Sequence, residues 1–554
     1  MAGKTRQIKN LKKSFEIASL PGQIIVLIII SSVLFFILWP VVSVLVKSII
    51  IDGKIDFSCY ADLFTRNRGL LANSIFVACL STILSVFFGT CIALYLTHTN
   101  HFGKKIVFGT LLVTMISPPF VSSLSYIMLF GKRGLITHNL LGLSLNPYGW
   151  QGIVIMQSVG YTTLCSLIIA GVIRGIDRNL EQASLDLGAG KIETLIKVTL
   201  PLAKPGLIVA ALIACVKSLS DFGTPIIIGG GFNVLATESY LNVIGLYNLP
   251  MAASMSVLLL IPALLAFIYY RRQIRFSNFF SGRMNTNGIM AFRITGFIDL
   301  VIILVTWSFV LFEILKYSTI FWGAFAKTWG FNYAFTLKHI KTINFEKLGS
   351  IIRSLEYAFI AGMVGTIIGL ILSYLIGRKK IWGCEFFDFI STLPFMIPGT
   401  FFGIGYIIAF HDEPFALTGT GFIIVVNCIF RQLPISTKAG LAVLTQIDPE
   451  LEFSAQDLGA GRLSRIKDII FPMMKPAFLV SFINTFTTTM TTIGAIIFLI
   501  SPSSKVATVV MFDAIQNGNV GQGAVFANII IIVVVFVNIG FSKLLLRHHG
   551  IRTG

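Results

Sequence analysis

A chain of 554 residues that is 55% hydrophobic and only 12% charged cannot be an ordinary soluble protein, since soluble domains carry about 25% charged residues. A mean hydropathy of +0.85 points to a polytopic membrane protein. The net charge of +19 does not mark a nucleic-acid binder, because about 28 of the 43 Lys and Arg fall on segments expected in the cytoplasm, where positive charge orients helices and suits anionic lipid.

Residues 1–23 carry Lys4, Arg6, Lys9, Lys12 and Lys13 and read as a cytoplasmic segment. A membrane-crossing helix needs about 20 mainly apolar residues. Twelve such stretches follow, near 24–46, 70–96, 106–130, 150–173, 205–228, 251–270, 294–316, 353–376, 386–410, 419–441, 476–500 and 523–546. The first is not a cleavable signal: Trp39-Pro40 and more apolar sequence follow, with no small-residue cleavage site.

The polar, basic stretch 271–293, with Gly282 and Gly288, reads as a connector. It separates a first domain (24–270) from a second (294–546), and a short tail (547–554) ends the chain. Seven cysteines scattered singly give no disulfide frame or zinc spacing, and the seven histidines form no compact metal cluster.

One polar segment occurs twice. Asp186-Leu187-Gly188-Ala189-Gly190 returns as Asp457-Leu458-Gly459-Ala460-Gly461. Pro201 with Lys204-Pro205 returns as Pro472 with Lys475-Pro476, all at an offset of 271. Upstream, Ser74 and Ser354, Gly89 and Gly369, Pro118 and Pro398, and Tyr126 and Tyr406 pair at an offset of 280. A repeat on this scale means two structural halves. Six spans in each half make the halves parallel and put both motif copies on one side.

In the first copy an acidic, helix-compatible stretch runs from Asp177 through Glu181 to Asp186, where Gly188 and Gly190 interrupt it. Glycine accepts the left-handed turn that ends a helix. A second short helix follows, with Ile192, Leu195 and Thr199 on one face, matched by Leu463, Ile466 and Ile470. Pro201 and Pro472 are expected to close it. A plain amphipathic interfacial loop accounts for one copy, but not for two with the same Asp, Gly, Pro and Lys-Pro spacing.

These two segments resemble the EAA loops of ATP-binding cassette (ABC) importer permeases, and two of them in one chain resemble the fused iron(III) permeases. Gln182-Ala183-Ser184 and Phe453-Ser454-Ala455 stand where the family has Glu-Ala-Ala. Gly188 and Gly459 match the motif glycine, and Pro201 and Pro472 the closing proline. Neither copy has Glu at the first motif position. Glu181 and Glu452, one residue earlier, or Asp186 and Asp457 are the candidates to substitute.

The resemblance implies an all-α polytopic fold of two tandem six-helix type I importer domains in the bacterial inner membrane, with both termini cytoplasmic. It implies that the loops, about 175–205 and 446–476, dock on two copies of a cytoplasmic ABC ATPase. ATP and Mg would sit on that partner, this chain would bind no cofactor, and an external substrate-binding protein would deliver the cargo. The expected coupling residues are Glu181, Gln182, Ala183, Asp186, Gly188 and Pro201, with Glu452, Ser454, Ala455, Asp457, Gly459 and Pro472. The chain should not hydrolyse ATP itself: Gly3-Lys4-Thr5 resembles the end of a phosphate loop but has no room for the first glycine.

Asp221-Phe222-Gly223-Thr224-Pro225 and the segment around Thr491, Thr492 and Gly494 resemble stretches of iron(III)-type permeases. Broken helices at membrane depth are tolerated where they line a cavity. Asp221, Gly223, Thr224, Thr491, Thr492 and Gly494 are therefore expected along the passage. Lys217 and Asp221, four residues apart, either form a structural ion pair or face that passage. Arg431 either joins it or snorkels to an interface. Iron(III) is the expected cargo; thiamine, 2-aminoethylphosphonate and polyamine are the alternatives. An ion-coupled secondary transporter would leave the two loops without a purpose.

Overall fold

The computed structural model describes residues 20–143, 146–280, 292–379, 383–461 and 464–546. The basic start of the chain, residues 281–291 of the connector with Gly282 and Gly288, Leu463 and the tail 547–554 lie outside the described residues. Among the described residues nine helices are long and apolar enough to cross a membrane, or up to twelve if each of three bent pairs is one span.

Two of the bent pairs fall on stretches expected as single spans. The third span is broken into Lys104–Ile116 and Pro119–Leu140, bent by 107°, and the ninth into Cys384–Met396 and Gly399–Phe410, bent by 112°. Both break just before or at the paired prolines Pro118 and Pro398. Proline offers no N–H to the ladder and pushes the preceding residue into an extended conformation. Ser117 and Ile397 are extended, with ψ of 137° and 130°.

The core of each half is its second, fourth and fifth spans. Arg68–His98, Trp150–Arg174 and Lys191–Ser220 pack on one another, as do Phe345–Arg378, Gly421–Leu444 and Lys475–Thr491. Membrane helices approach closely where residues are small. A Cβ on Gly89 would fall 2.7 Å from Cβ of Cys165, and one on Gly369 would fall 2.3 Å from Cβ of Ser436. The aligned serines also match: Ser74 Oγ accepts from the Leu235 amide and Ser354 Oγ from the Ala507 amide, each at 2.8 Å. The aligned tyrosines do not, since Tyr126 donates to the Pro147 carbonyl and Tyr406 to the Phe36 carbonyl.

That last bond belongs to an exchange. The first span packs on the second arm of the ninth, and the seventh span (Phe297–Gly323) packs on the second and third. Each half therefore lends its first helix to the other.

Candidate functional site

In both loops an aspartate starts the first helix. The side chain of Asp177 accepts from the Asn179 amide at 3.0 Å, and that of Asp448 from the Glu450 amide at 2.9 Å. Such capping satisfies amides that have no partner within the helix. The helices Arg178–Asp186 and Pro449–Asp457 end in the same turn. Ala189 and Ala460 reach back to the carbonyls of Ser184 and Ala455. Gly188 and Gly459 stand at φ of +90° and +83°, where a side chain is disfavoured.

The chain then rises through a π-helical turn in each copy, Leu195–Thr199 and Arg465–Ile470. Pro201 does not close a separate helix as expected: Lys191–Ser220 runs through it as one span. The wide turn and the position of Pro201 in the first turn after it, where an N–H is dispensable, make this possible. In the second copy the chain bends by 62° between Arg465–Met473 and Lys475–Thr491.

Gln182, Ala183, Asp186 and Gly188 are exposed, as are Ser454, Asp457 and Gly459, while Ala455 is half-buried. Between each aspartate and glycine a leucine projects outward: Leu187 and Leu458 are each 89% exposed. Sequence reasoning passed over these two as part of the repeat. A large apolar side chain left in water on the same turn of both halves was the available signal.

Glu181 and Glu452 turn inward instead. Glu181 is 3% exposed, and its Oε1 sits 3.1 Å from Nε2 of His98 and accepts from Thr199 at 2.8 Å. Glu452 lies 3.3 Å from Nε of Arg378 and accepts from Tyr374 at 3.4 Å. Arg378 also donates to the Ile447 carbonyl. His98 and Arg378 are the last residues of the second and eighth spans, and they stand 280 apart, the offset of the other upstream pairs. Each loop is thus pinned to the end of one core helix by a carboxylate and a base.

Burial pushes the Glu181 carboxyl up, but the hydrogen bonds from His98 and Thr199, with the charges of His98 and Arg178, outweigh it and hold it below its usual 4.5. A carboxylate held low contributes stability above its unfolded value and loses it as pH falls through the folded one. The first loop should therefore stay pinned at neutral pH and loosen in acid. Glu181→Gln should loosen it at any pH, seen as faster protease cutting at 178–190 with the chain otherwise intact. Equal cutting of both forms from neutral pH down to pH 3 would contradict the pin.

The second group of expected residues lies where the fifth and eleventh spans stop. Asp221 caps the short helix Gly223–Ile228: its Oδ1 accepts from the amides of Gly223 and Thr224, at 3.0 and 3.1 Å, and its Oδ2 from Gln157 at 3.1 Å. Lys217 does not close an ion pair with it. Arg431 reaches across its half to donate to Thr492 at 2.8 Å. Thr491 turns back to the Thr487 carbonyl and is buried, as is Thr224.

Gly223 and Gly494 make room for rings. A Cβ on Gly223 would meet Phe120 at 2.7 Å, and one on Gly494 would meet Phe222 at 3.3 Å. Phe222, Phe120, Tyr240, Phe498 and Phe512 form a connected aromatic layer between the halves, with neighbouring ring centroids 5.1 to 6.5 Å apart.

Residues 82–276 and 362–547 each match the family described as binding-protein-dependent transport system inner membrane component. The chain is 31% identical over 537 residues to the ferric transport system permease protein FbpB of Actinobacillus pleuropneumoniae, covering 93% of this chain and 77% of the relative. It is likewise 31% identical over 513 residues to a putative ferric transport system permease protein FbpB of Haemophilus influenzae, covering 89% and 79%. A shorter likeness, 32% over 156 residues, covers 28% of this chain and 68% of the molybdenum transport system permease protein ModB of Escherichia coli. With two such domains, two matched loops and up to twelve candidate spans among the described residues, the chain belongs to the inner membrane permeases of ABC importers that work with a binding protein.

Proposed function

We propose that this permease carries iron(III) inward, with ATP hydrolysed on two copies of a separate cytoplasmic ABC ATPase and cargo delivered by an external substrate-binding protein. The observation that carries the coupling is the matched pair of exposed loops, each pinned to a core helix. The iron assignment rests on likeness to two ferric permeases along most of the chain.

In this reading Leu187 with Asp186, and Leu458 with Asp457, seat in a groove on each ATPase, and ATP and Mg belong to that partner. Both termini face the cytoplasm with the loops. Closing of the ATPases draws the loops together, and the pins on His98 and Arg378 pass that movement to the second and eighth spans. The halves then rock as rigid bodies, parting the aromatic layer.

Uptake of labelled iron by a strain lacking the gene, with and without the restored chain, tests the cargo. Asp221→Asn tests the passage. It keeps the shape but weakens the cap and removes the charge, so uptake should fall about ten-fold or more while the ATPase still co-purifies. Normal uptake by that variant would remove Asp221 from the passage.

A further inference from the structure

The chain enters its second half by crossing the anchor of the first loop. Residues 292–295 form neither helix nor strand, and burial alternates along them: Phe292 and Ile294 are buried, Arg293 and Thr295 exposed. Successive side chains point in opposite directions when a segment lies extended on an apolar surface. That surface belongs to the first half. The two side chains join one buried cluster with Tyr95, Ile173, Ile176 and Leu195.

The strap so formed holds His98 by its backbone and by its ring. The His98 carbonyl, at a helix end where carbonyls lack helical partners, accepts from the Ile294 amide at 3.1 Å. The His98 ring meets the Phe292 ring edge-on, with centroids 5.0 Å apart. Its Nε2 is left to Glu181 of the loop.

Further contacts fix the corner around His98 from the same side. His101 Nε2 lies 2.8 Å from Asp299 Oδ2 in the first turn of the seventh span. One turn or two further on, Trp307 Nε1 donates to the Tyr95 hydroxyl at 3.3 Å. Its ring lies so near Gly103 that an added Cβ would come within 2.6 Å of it. The second loop is anchored differently: among the described residues Arg378 bonds to Glu452 and Ile447, both of its own half.

Packed side chains pass on a displacement because a dense interior leaves them little room to yield. A pull on the first loop reaches His98 through Glu181. From His98 it has two ways onward, along the second span that His98 ends and through the strap into the seventh.

We infer that Phe292 and Ile294 are positioning residues of the first coupling loop, acting through His98, and that they pass its movement to the helix lent by the second half. The first clause stands on the contacts alone; the second rests on the coupling and iron readings.

Limited proteolysis of the full chain in lipid nanodiscs tests the first clause. Phe292→Ala with Ile294→Ala should speed cutting at 178–190 about ten-fold or more, because cutting follows the population of the opened loop. Cutting at 449–461 should not change, and Phe292→Leu should stay close to the wild type. If the double variant yields no monodisperse chain, His101→Gln, on the exposed side of the same corner, takes its place with the same pattern expected. Unchanged cutting at 178–190, or equal acceleration at both loops, overturns the clause.

The complete transporter in proteoliposomes tests the second clause, read as labelled iron taken up per ATP hydrolysed. The variant should keep its ATPase subunits, since Leu187 and Leu458 are untouched, while uptake per ATP falls about three-fold or more. A ratio equal to the wild type's overturns the second clause. A wild type that hydrolyses ATP yet moves no iron refutes the iron reading, and with it the second clause, while the proteolysis still decides the first.

Discussion

Leu187→Asp combined with Leu458→Asp should abolish uptake and release the ATPase subunits, while the permease still inserts and remains monodisperse. The two leucines are 89% exposed and stand in turns already stabilised by capping and backbone bonds, so replacing them removes no internal packing. Fully burying a leucine contributes about 1.5–3 kcal/mol, so losing both docking contacts costs about 3–6 kcal/mol. That corresponds to roughly a hundred- to ten-thousand-fold in affinity, and placing a carboxylate in an apolar groove adds to it.

Each single variant should lose about half of that free energy. Pull-down of the ATPase on the tagged permease is the measurement, with labelled-substrate uptake in the same cells. Wild-type capture by the double variant would show that the tips are not the docking surface. Gly188→Val with Gly459→Val should act in the same direction by a different route. No atom crowds either glycine, but both hold φ near +90°, which costs about 1–2 kcal/mol for a residue with a Cβ.

The second large effect lies far from the loops. Lys316 and Glu313 are fully buried in the seventh span, with Nζ 2.6 Å from Oε2. Lys316 also reaches Ser122 at 3.4 Å, just beyond the break in the third span, and the other carboxylate oxygen, Glu313 Oε1, has no hydrogen-bond partner among the described residues. The pair thus ties the helix lent by the second half to the broken span of the first.

Lys316→Met strands a buried carboxylate, which costs about 3–5 kcal/mol, and should remove most folded protein from the membrane. Glu313→Leu with Lys316→Met replaces the pair by apolar groups of similar size and should restore it. The readouts are the yield of monodisperse chain and its Tm in detergent. A single variant as stable as the wild type would show that the pair does not hold the exchanged helix.

Both predictions use residues whose weight was only partly visible in the chain. The repeated turn was legible because its determinants are local: an aspartate cap, a glycine at positive φ and a leucine between them all lie within a dozen residues. The Glu181 and Glu452 pins were half legible. The glutamates stood beside the motif, but their partners His98 and Arg378 lie more than seventy residues upstream of them in the chain. The glutamate and lysine at 313 and 316 were present at helical spacing in the seventh span, where an apolar average hides two charges that cancel.

The breaks at Pro118 and Pro398 were hidden in the same way. A hydropathy window weighs side-chain transfer and is blind to a missing backbone N–H.

By itself the sequence determined the class of protein, the number of apolar stretches, the two-fold repeat and the capped turns within it. Those depend on composition and on bonds between near neighbours, whose reach along a helix ends at the fourth residue. Only the tertiary structure decided which helix each half lends to the other and where each loop is anchored. His98 meets Glu181 across 83 positions of chain, and Tyr406 donates to the Phe36 carbonyl across 370. Contacts at such separations arise from the packing of whole helices, and no local spacing encodes them.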